Sequence, residues 1–265
     1  VLYLLVTTFL YSTKSETYKS YFPLFATVAG IMVTALLILM LFVDEPKLAA
    51  EQRRYEQAHP EEELAKETDK GEVLPKPVKK SLAFLLISIA LWFIGYNSVT
   101  TWFSLYAATM WDMPEGKSAM CLTIATAGAI ISYIPVGSVA SRIGRRKTIL
   151  FGTVLLSASF LAAFLYTVTV GVFSPALYIL FVLIGIAWAA INVNSLPMVV
   201  EMCCDSEVGK FTGLYYTFSM AAQIAAPILS SLLLRYVDYR ALFPFAAVFV
   251  AGSCVTMLFV RHGDN

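Results

Sequence analysis

Charged residues are scarce in this sequence. Asp, Glu, Lys and Arg make up 14% of its 265 residues, whereas hydrophobic residues make up 58%. The mean hydropathy is +0.73. The charged residues that are present avoid the middle third of every long apolar segment. A soluble protein of this length would not keep so much apolar sequence in runs this long, so a soluble globular domain is excluded.

Residues that carry catalytic or metal chemistry are also few. The four cysteines lack metal-ligand spacing, and the two histidines, His59 and His262, lie outside the apolar segments. Those segments contain no cluster of His, Asp and Glu and no pair of a nucleophile with a base. The sequence therefore predicts no catalytic residues, no enzyme activity, no metal and no other cofactor. The net charge of +1 gives no sign of a nucleic-acid partner.

Long apolar segments dominate what remains. About 20 apolar residues in a helix span the ~30 Å hydrocarbon core of a bilayer. The strand alternation of a membrane barrel is missing from these segments. The sequence thus predicts an all-α, multi-pass integral membrane protein. The segments that meet or approach the required length are residues 21–43, 81–108, 118–140, 148–169, 176–200, 211–234 and 241–260.

The basic residues are distributed unevenly between the two sides of these segments. Fourteen of the nineteen Lys and Arg residues fall in alternate links, and the other five fall in the opposite links. Positively charged loops face the cytoplasm in membrane proteins. This rule places the C-terminus and the long 44–80 link in the cytoplasm. That link is predicted to be a solvated, partly helical tether, because helix formers dominate its start and Pro60 interrupts them.

The chain opens on Val1, and its first eleven residues are apolar but too short to span a membrane. We expect residues 1–11 to be the outer end of a helix whose beginning is missing, and the sequence to be a fragment. This stretch shows no basic n-region and no cleavage site, so we do not expect it to be a signal peptide.

A very short basic link joins two of the apolar segments at residues 137–147, Gly-Ser-Val-Ala-Ser-Arg-Ile-Gly-Arg-Arg-Lys. It resembles the loop signature of the major facilitator superfamily, Gly-x-x-x-Asp-Arg/Lys-x-Gly-Arg-Arg/Lys, with Ser141 in place of the acid. In that family the loop arginines pair with acids on adjoining helix ends and latch one conformation of the transport cycle. The resemblance implies a latch in which Glu201 or Glu207 replaces the missing acid, formed with Gly137, Arg142, Gly144, Arg145 and Arg146.

The resemblance also implies an organisation, since the family joins two six-helix halves by a long cytoplasmic tether. Residues 81–265 are then a complete C-terminal six-helix bundle, and residues 44–80 are the cytoplasmic linker. Residues 1–43 are a remnant of the N-terminal bundle, with the end of its fifth helix and the whole of its sixth. This is a major facilitator fold with a complete second half and one and a half helices of the first.

Polar residues fall in stripes on four of the six later segments. In the family fold the first, second, fourth and fifth helices of each half line a central cavity, and these four carry the stripes. Amides and aromatic rings together are typical of a sugar site. The alternative is that these side chains only bond neighbouring helices. Trp102 and Trp111 lie near the predicted outer boundary, as interfacial anchors do. The predicted substrate-binding residues are Asn97, Thr101, Trp188, Asn192, Ser195, Tyr215, Ser219 and Gln223.

A second resemblance narrows the predicted substrate. Residues 195–231, with Pro197, Gly213-Leu214-Tyr215, Ala222-Gln223 and Pro227, are similar to the sucrose–proton symporters and their glycoside–pentoside–hexuronide relatives. This implies alternating-access transport of a sugar or glycoside, coupled to a proton or sodium ion. The coupling acid is then expected in the missing first half. An exporter of amphipathic drugs and a non-transporting membrane sensor or scaffold remain as alternatives.

Overall fold

The computed structural model describes residues 22–42, 75–203 and 207–263, together with the single positions 47, 50, 51 and 54. The chain divides into two compact units, residues 1–71 and 72–265. The predicted helix end at residues 1–11 and most of the 44–80 link lie outside the described residues. Of the first unit, the structure describes one long helix, α1 (Phe22–Phe42).

The described part of the second unit contains six long helices. Five of the predicted apolar segments fall within them, and the sixth, 241–260, exceeds its helix by one residue at the start and two at the end. Each of the six, like α1, is long and apolar enough to cross a membrane. A short 3₁₀ turn, Tyr239–Ala241, precedes the last helix. The six helices are α2 (Lys76–Trp111), α3 (Glu115–Ile143), α4 (Arg145–Thr169), α5 (Ala176–Val200), α6 (Val208–Tyr236) and α7 (Leu242–Leu258).

Helix α2 is longer than its apolar core. It begins at Lys76, five residues before the predicted start of the bundle, with Pro75 as its N-cap. Pro77 lies in the first turn, where the N–H that proline lacks would have no partner within the helix. The 36 residues of α2 extend to about 54 Å at 1.5 Å per residue. The helix therefore projects well beyond the hydrocarbon core, and its basic first turn lies outside that core.

The helices of the second unit pack in a pattern with internal symmetry. Helix α2 packs most extensively against α6 and α7, and α5 packs in the same way against α3 and α4. Helices α4 and α7 also pack against each other. Exchanging the first three helices of the unit with the last three leaves this pattern unchanged. The order of contacts thus reveals a three-helix repeat that the sequence does not show.

Backbones approach closely where glycine removes a side chain. A Cβ at Gly185 would overlap the carbonyl oxygen of Ala125, so α5 lies directly on α3 at this point. A Cβ at Gly152 would come 2.9 Å from the carbonyl oxygen of Ala187, which brings α4 close to α5. Small residues at such crossings are the usual means of packing helices in membranes.

The predicted role of Trp111 as an interfacial anchor is wrong. Its side chain is 1% exposed, and its indole N–H donates a hydrogen bond to Thr167 Oγ1 at 3.1 Å. Tyr106 OH lies 2.6 Å from the same oxygen. Trp111 is therefore a core residue that joins α2 to α4, because burial of its ring becomes favourable once its N–H has a partner.

Candidate functional site

The polar stripe of α5 faces two other helices. Trp188, Asn192 and Ser195 follow one another at spacings of four and three, which places them on one face. The Trp188 ring stacks on the Tyr96 ring of α2 with centroids 3.8 Å apart and planes 8° from parallel. The edge of a second α2 ring, Phe93, meets Trp188 at 5.3 Å. One end of the stripe is thus fixed against α2.

The other end of the stripe contacts α6. Ser195 Oγ and Tyr215 OH lie 3.1 Å apart, and both side chains are buried. Ser195 Oγ also lies 3.1 Å from its own helix, at the Asn192 carbonyl oxygen. Two residues predicted from separate segments, Ser195 and Tyr215, are therefore in direct contact.

Asn192 lies between these two contacts. Its side chain is partly buried, and among the described residues it has no hydrogen-bond partner. The neighbouring amide Asn194 differs, because it is buried and donates to the Ala190 carbonyl oxygen at 2.8 Å. Asn192 is thus an amide between an aromatic stack and a hydroxyl pair, with its full hydrogen-bonding capacity open.

The remaining predicted residues bond their own helices or face outward. Asn97 donates to the Phe93 carbonyl oxygen at 2.8 Å, and Thr101 is exposed. On α6, Gln223 is exposed and donates to the Ser219 carbonyl oxygen at 3.3 Å. Ser219 is buried and donates to the carbonyl oxygen of Tyr216 at 3.2 Å. None of these four is in hydrogen-bond contact with the α5 stripe.

Helices α2 and α6 also make a contact near Pro227 through residues that the sequence did not predict as part of the site. Ser98 Oγ donates to the Ala226 carbonyl oxygen at 3.3 Å, and the Trp102 indole N–H donates to the Pro227 carbonyl oxygen at 3.3 Å. Trp102 therefore bonds a neighbouring helix. Ser98 lies next to Asn97 in sequence but off the predicted stripe, and its partners are backbone atoms that side-chain spacing does not reveal.

The basic turn between α3 and α4 is a single residue long. Gly144 separates the two helices, with φ 97° and ψ 146°. Immediately after it, Arg145 forms an ion pair with Glu201 at the end of α5. Arg146 donates to the Leu258 carbonyl oxygen at the end of α7, at 2.9 Å. Successive arginines at the start of α4 thus contact the ends of two different helices.

The other residues of the predicted latch are arranged differently. Ser141, in the position of the family's acid, donates to the Ser138 carbonyl oxygen at 2.8 Å within its own helix. Arg142 is exposed. A Cβ at Gly137 would meet Val193 Cγ1 at 3.9 Å, an ordinary van der Waals contact, so no close backbone approach requires glycine there. Glu207, the other acid considered, pairs with Lys210 at 2.6 Å.

Metal-ligating side chains do not gather in the part of the chain that the structure describes. Within residues 22–42, 75–203 and 207–263, no group of three or more His, Cys, Asp or Glu side chains could hold a metal ion.

Comparison with known proteins identifies the family. The family model of the Major Facilitator Superfamily matches residues 112–265, more than half of the chain. No curated protein matches significantly. Among solved structures, the crystal structure of the human organic anion transporter MFSD10 (TETRAN) is similar, with a TM-score of 0.55 and 12% sequence identity. The match covers 71% of this chain and 49% of that one, so the chain spans about half the length of this structural neighbour. This likeness shows the fold, and the family model goes further: the chain belongs to the Major Facilitator Superfamily.

Proposed function

We propose that this protein carries a small polar solute, a sugar or glycoside, across a membrane by alternating access, with a proton or sodium ion as the coupling ion. The observation that best supports this proposal is the Asn192 amide. It has no partner among the described residues and lies between the Trp188–Tyr96 stack and the Ser195–Tyr215 pair.

This arrangement suits the chemistry of a sugar. An amide both donates to and accepts from hydroxyl groups, and an aromatic face packs against the C–H side of a pyranose ring. Residues 81–260 place no charged side chain in the middle third of a helix, which favours a neutral solute over an ionic one. The proposed binding residues are Asn97, Thr101, Trp188, Asn192, Ser195, Tyr215, Ser219 and Gln223.

The proposed cycle uses the basic turn as a latch. The Arg145–Glu201 pair and the bond from Arg146 to the Leu258 carbonyl hold the ends of α4, α5 and α7 together. Breaking and remaking such contacts would let the bundle alternate between two states. Gly137, Gly144 and Arg142 belong to the same proposed element. The coupling acid is proposed to lie in the other half of the transporter.

A second candidate is export of an amphipathic organic solute. The cluster of Phe93, Tyr96 and Trp188 favours it, because three aromatic rings suit a flat apolar molecule. The structural neighbour is described as an organic anion transporter. An anion would need a cationic partner within the membrane, and the middle thirds of the helices in residues 81–260 supply none.

The test is uptake by the full-length protein in liposomes, with labelled sugars and with or without a proton or sodium gradient. We expect gradient-driven accumulation of a sugar, and we expect Asn192→Ala to lower uptake about tenfold or more, because a sugar hydroxyl loses its partner. Asn194→Ala is the matched control, since that amide bonds its own helix. Uptake should then remain near that of the unmodified protein.

The contrary outcomes separate the alternatives. Transport of hydrophobic ions without any sugar would replace the proposal with amphipathic export. No transport of either class would favour a sensor or scaffold. Equal uptake by the Asn192→Ala and Asn194→Ala variants would remove Asn192 from the site even if a sugar is carried.

A further inference from the structure

A cavity of about 240 Å³ lies among helices α2 to α5. Its walls are mostly apolar and include Val99, Phe160, Phe181 and Ile184, each buried in the core. Thr126, at its margin on α3, is exposed. The cavity therefore extends from an exposed edge to the packed interior of the bundle.

The polar atoms around this cavity are nearly all satisfied. Thr100 donates to the Asn97 carbonyl oxygen at 3.3 Å, and Thr126 donates to the Leu122 carbonyl oxygen at 2.9 Å. The Tyr96 hydroxyl differs, because it has no hydrogen-bond partner among the described residues. The cavity thus has mostly apolar walls, and one of its lining residues, Tyr96, carries a phenol hydroxyl that is able to donate or accept a bond.

Tyr96 also connects this cavity to the proposed solute site. The same ring that lines the cavity stacks on Trp188, four residues before Asn192. A solute bound at Asn192 and a ring bound in the cavity would therefore lie near the two members of one aromatic stack.

The size of the cavity indicates its occupant. An apolar cavity of about 150 Å³ accommodates a benzene molecule, so about 240 Å³ holds one aromatic ring with a small substituent. We propose that this cavity binds the aryl group of the solute, with Tyr96 OH bonding a polar substituent on that ring. The glycoside part of this inference rests on the proposed function. An aryl glycoside should then bind more tightly than a simple alkyl glycoside.

Titration calorimetry of the full-length protein in lipid nanodiscs tests this, with empty nanodiscs as the blank. The probe of the cavity is 4-bromophenol, and methyl and 4-bromophenyl β-glucoside probe the combined site. Thr100→Phe would fill the cavity with its own ring. Thr109→Phe is the matched control on the same helix, since Thr109 is exposed and also donates to a carbonyl oxygen of its own helix. Ala125→Leu, which fills the cavity from α3, serves as a second variant if Thr100→Phe fails to fold.

We expect 4-bromophenol to bind the unmodified protein and the Thr109→Phe variant, and to bind the cavity-filled variant about 10- to 100-fold more weakly, as expected for loss of a buried ring. The aryl glucoside should bind more tightly than the methyl glucoside by a similar factor. Failure of 4-bromophenol to bind, or equal binding by all variants, would overturn the inference. Binding of 4-bromophenol at the cavity without binding of either glucoside would uphold the cavity and count against the sugar. Binding of both glucosides with equal affinity would support the sugar and count against the cavity as the site of the aryl group.

Discussion

Gly144 is the residue on which the turn between α3 and α4 depends. Its φ of 97° and ψ of 146° lie in a region that residues with a Cβ rarely adopt. We expect Gly144→Ala to lower the free energy of unfolding by about 1–3 kcal/mol, because alanine would be strained in this conformation. Thermal unfolding of the purified protein measures the effect.

The control for Gly144 is Gly209 in the first turn of α6. Gly209 is helical, and a Cβ there would meet no atom within 4 Å. Gly209→Ala should therefore leave the unfolding temperature unchanged or raise it slightly, since alanine favours the helix. Similar losses of stability in the two variants would show that the conformation of Gly144 is unimportant.

At the same scale, the sequence predicted which residues share a face but not what they contact. Spacing of four and three placed Trp188, Asn192 and Ser195 together, and the structure agrees. Spacing within one helix carries no information about the partner helix, so the stack of Trp188 on Tyr96 could not be derived from it. For the same reason the sequence could not separate Asn192, whose amide is open, from Asn97, which bonds its own backbone.

Between elements, the contact with the clearest mechanical meaning is the Arg145–Glu201 pair, which joins the start of α4 to the end of α5. Both side chains are about 30% exposed or less, and the second carboxylate oxygen of Glu201 is buried without a partner among the described residues. Loss of the arginine would leave this partly buried carboxylate uncompensated. We expect Arg145→Gln to slow transport and lower stability, and the exchange of Arg145→Glu with Glu201→Arg to restore part of both.

A double-mutant cycle on unfolding temperature and transport rate measures this coupling, which we expect to be about 1 kcal/mol. The matched control is Glu207 with Lys210, a pair three residues apart at the start of α6 whose lysine is exposed. Breaking the Glu207–Lys210 pair should change neither the unfolding temperature nor the transport rate appreciably. If the two cycles give the same coupling, the latch proposed for Arg145 and Glu201 is wrong.

The existence of the helices could be predicted more completely than their ends or their packing. Long apolar runs require helices in a bilayer because each backbone polar group must be satisfied within its own segment. The start of α2 at Lys76 was not predicted, because its first turn is polar and lies outside the apolar run. The crossing of α3 and α5 at Gly185 depends on the shape of both helix surfaces, which hydropathy does not describe.

Over the whole second unit, the contact pattern relates its first three helices to its last three. Helices α2 and α5 occupy equivalent positions, each packed against the second and third helices of the other triplet. The predicted aromatic and amide residues Trp188 and Asn97 lie on these two equivalent helices. A site built where two repeats meet is the usual arrangement in secondary transporters, because relative motion of the repeats then changes access to it.

The orientation of the protein in the membrane is a prediction from the basic residues of the whole chain. Fourteen of nineteen Lys and Arg residues lie in links predicted to face the cytoplasm, among them the turn at residues 141–147. We expect Ser141→Cys, in a background without the four native cysteines, to react with an impermeant thiol reagent only after cells are permeabilised.

Ser174→Cys, in the link between α4 and α5, is the matched variant and should react in intact cells. The helix α4 that separates Ser141 from Ser174 crosses the membrane once, so the two positions must lie on opposite sides whichever way the protein is inserted. Labelling of Ser174→Cys alone in intact cells supports the cytoplasmic basic turn. Labelling of Ser141→Cys alone would invert the orientation, and with it the side of the membrane on which the Arg145–Glu201 pair acts.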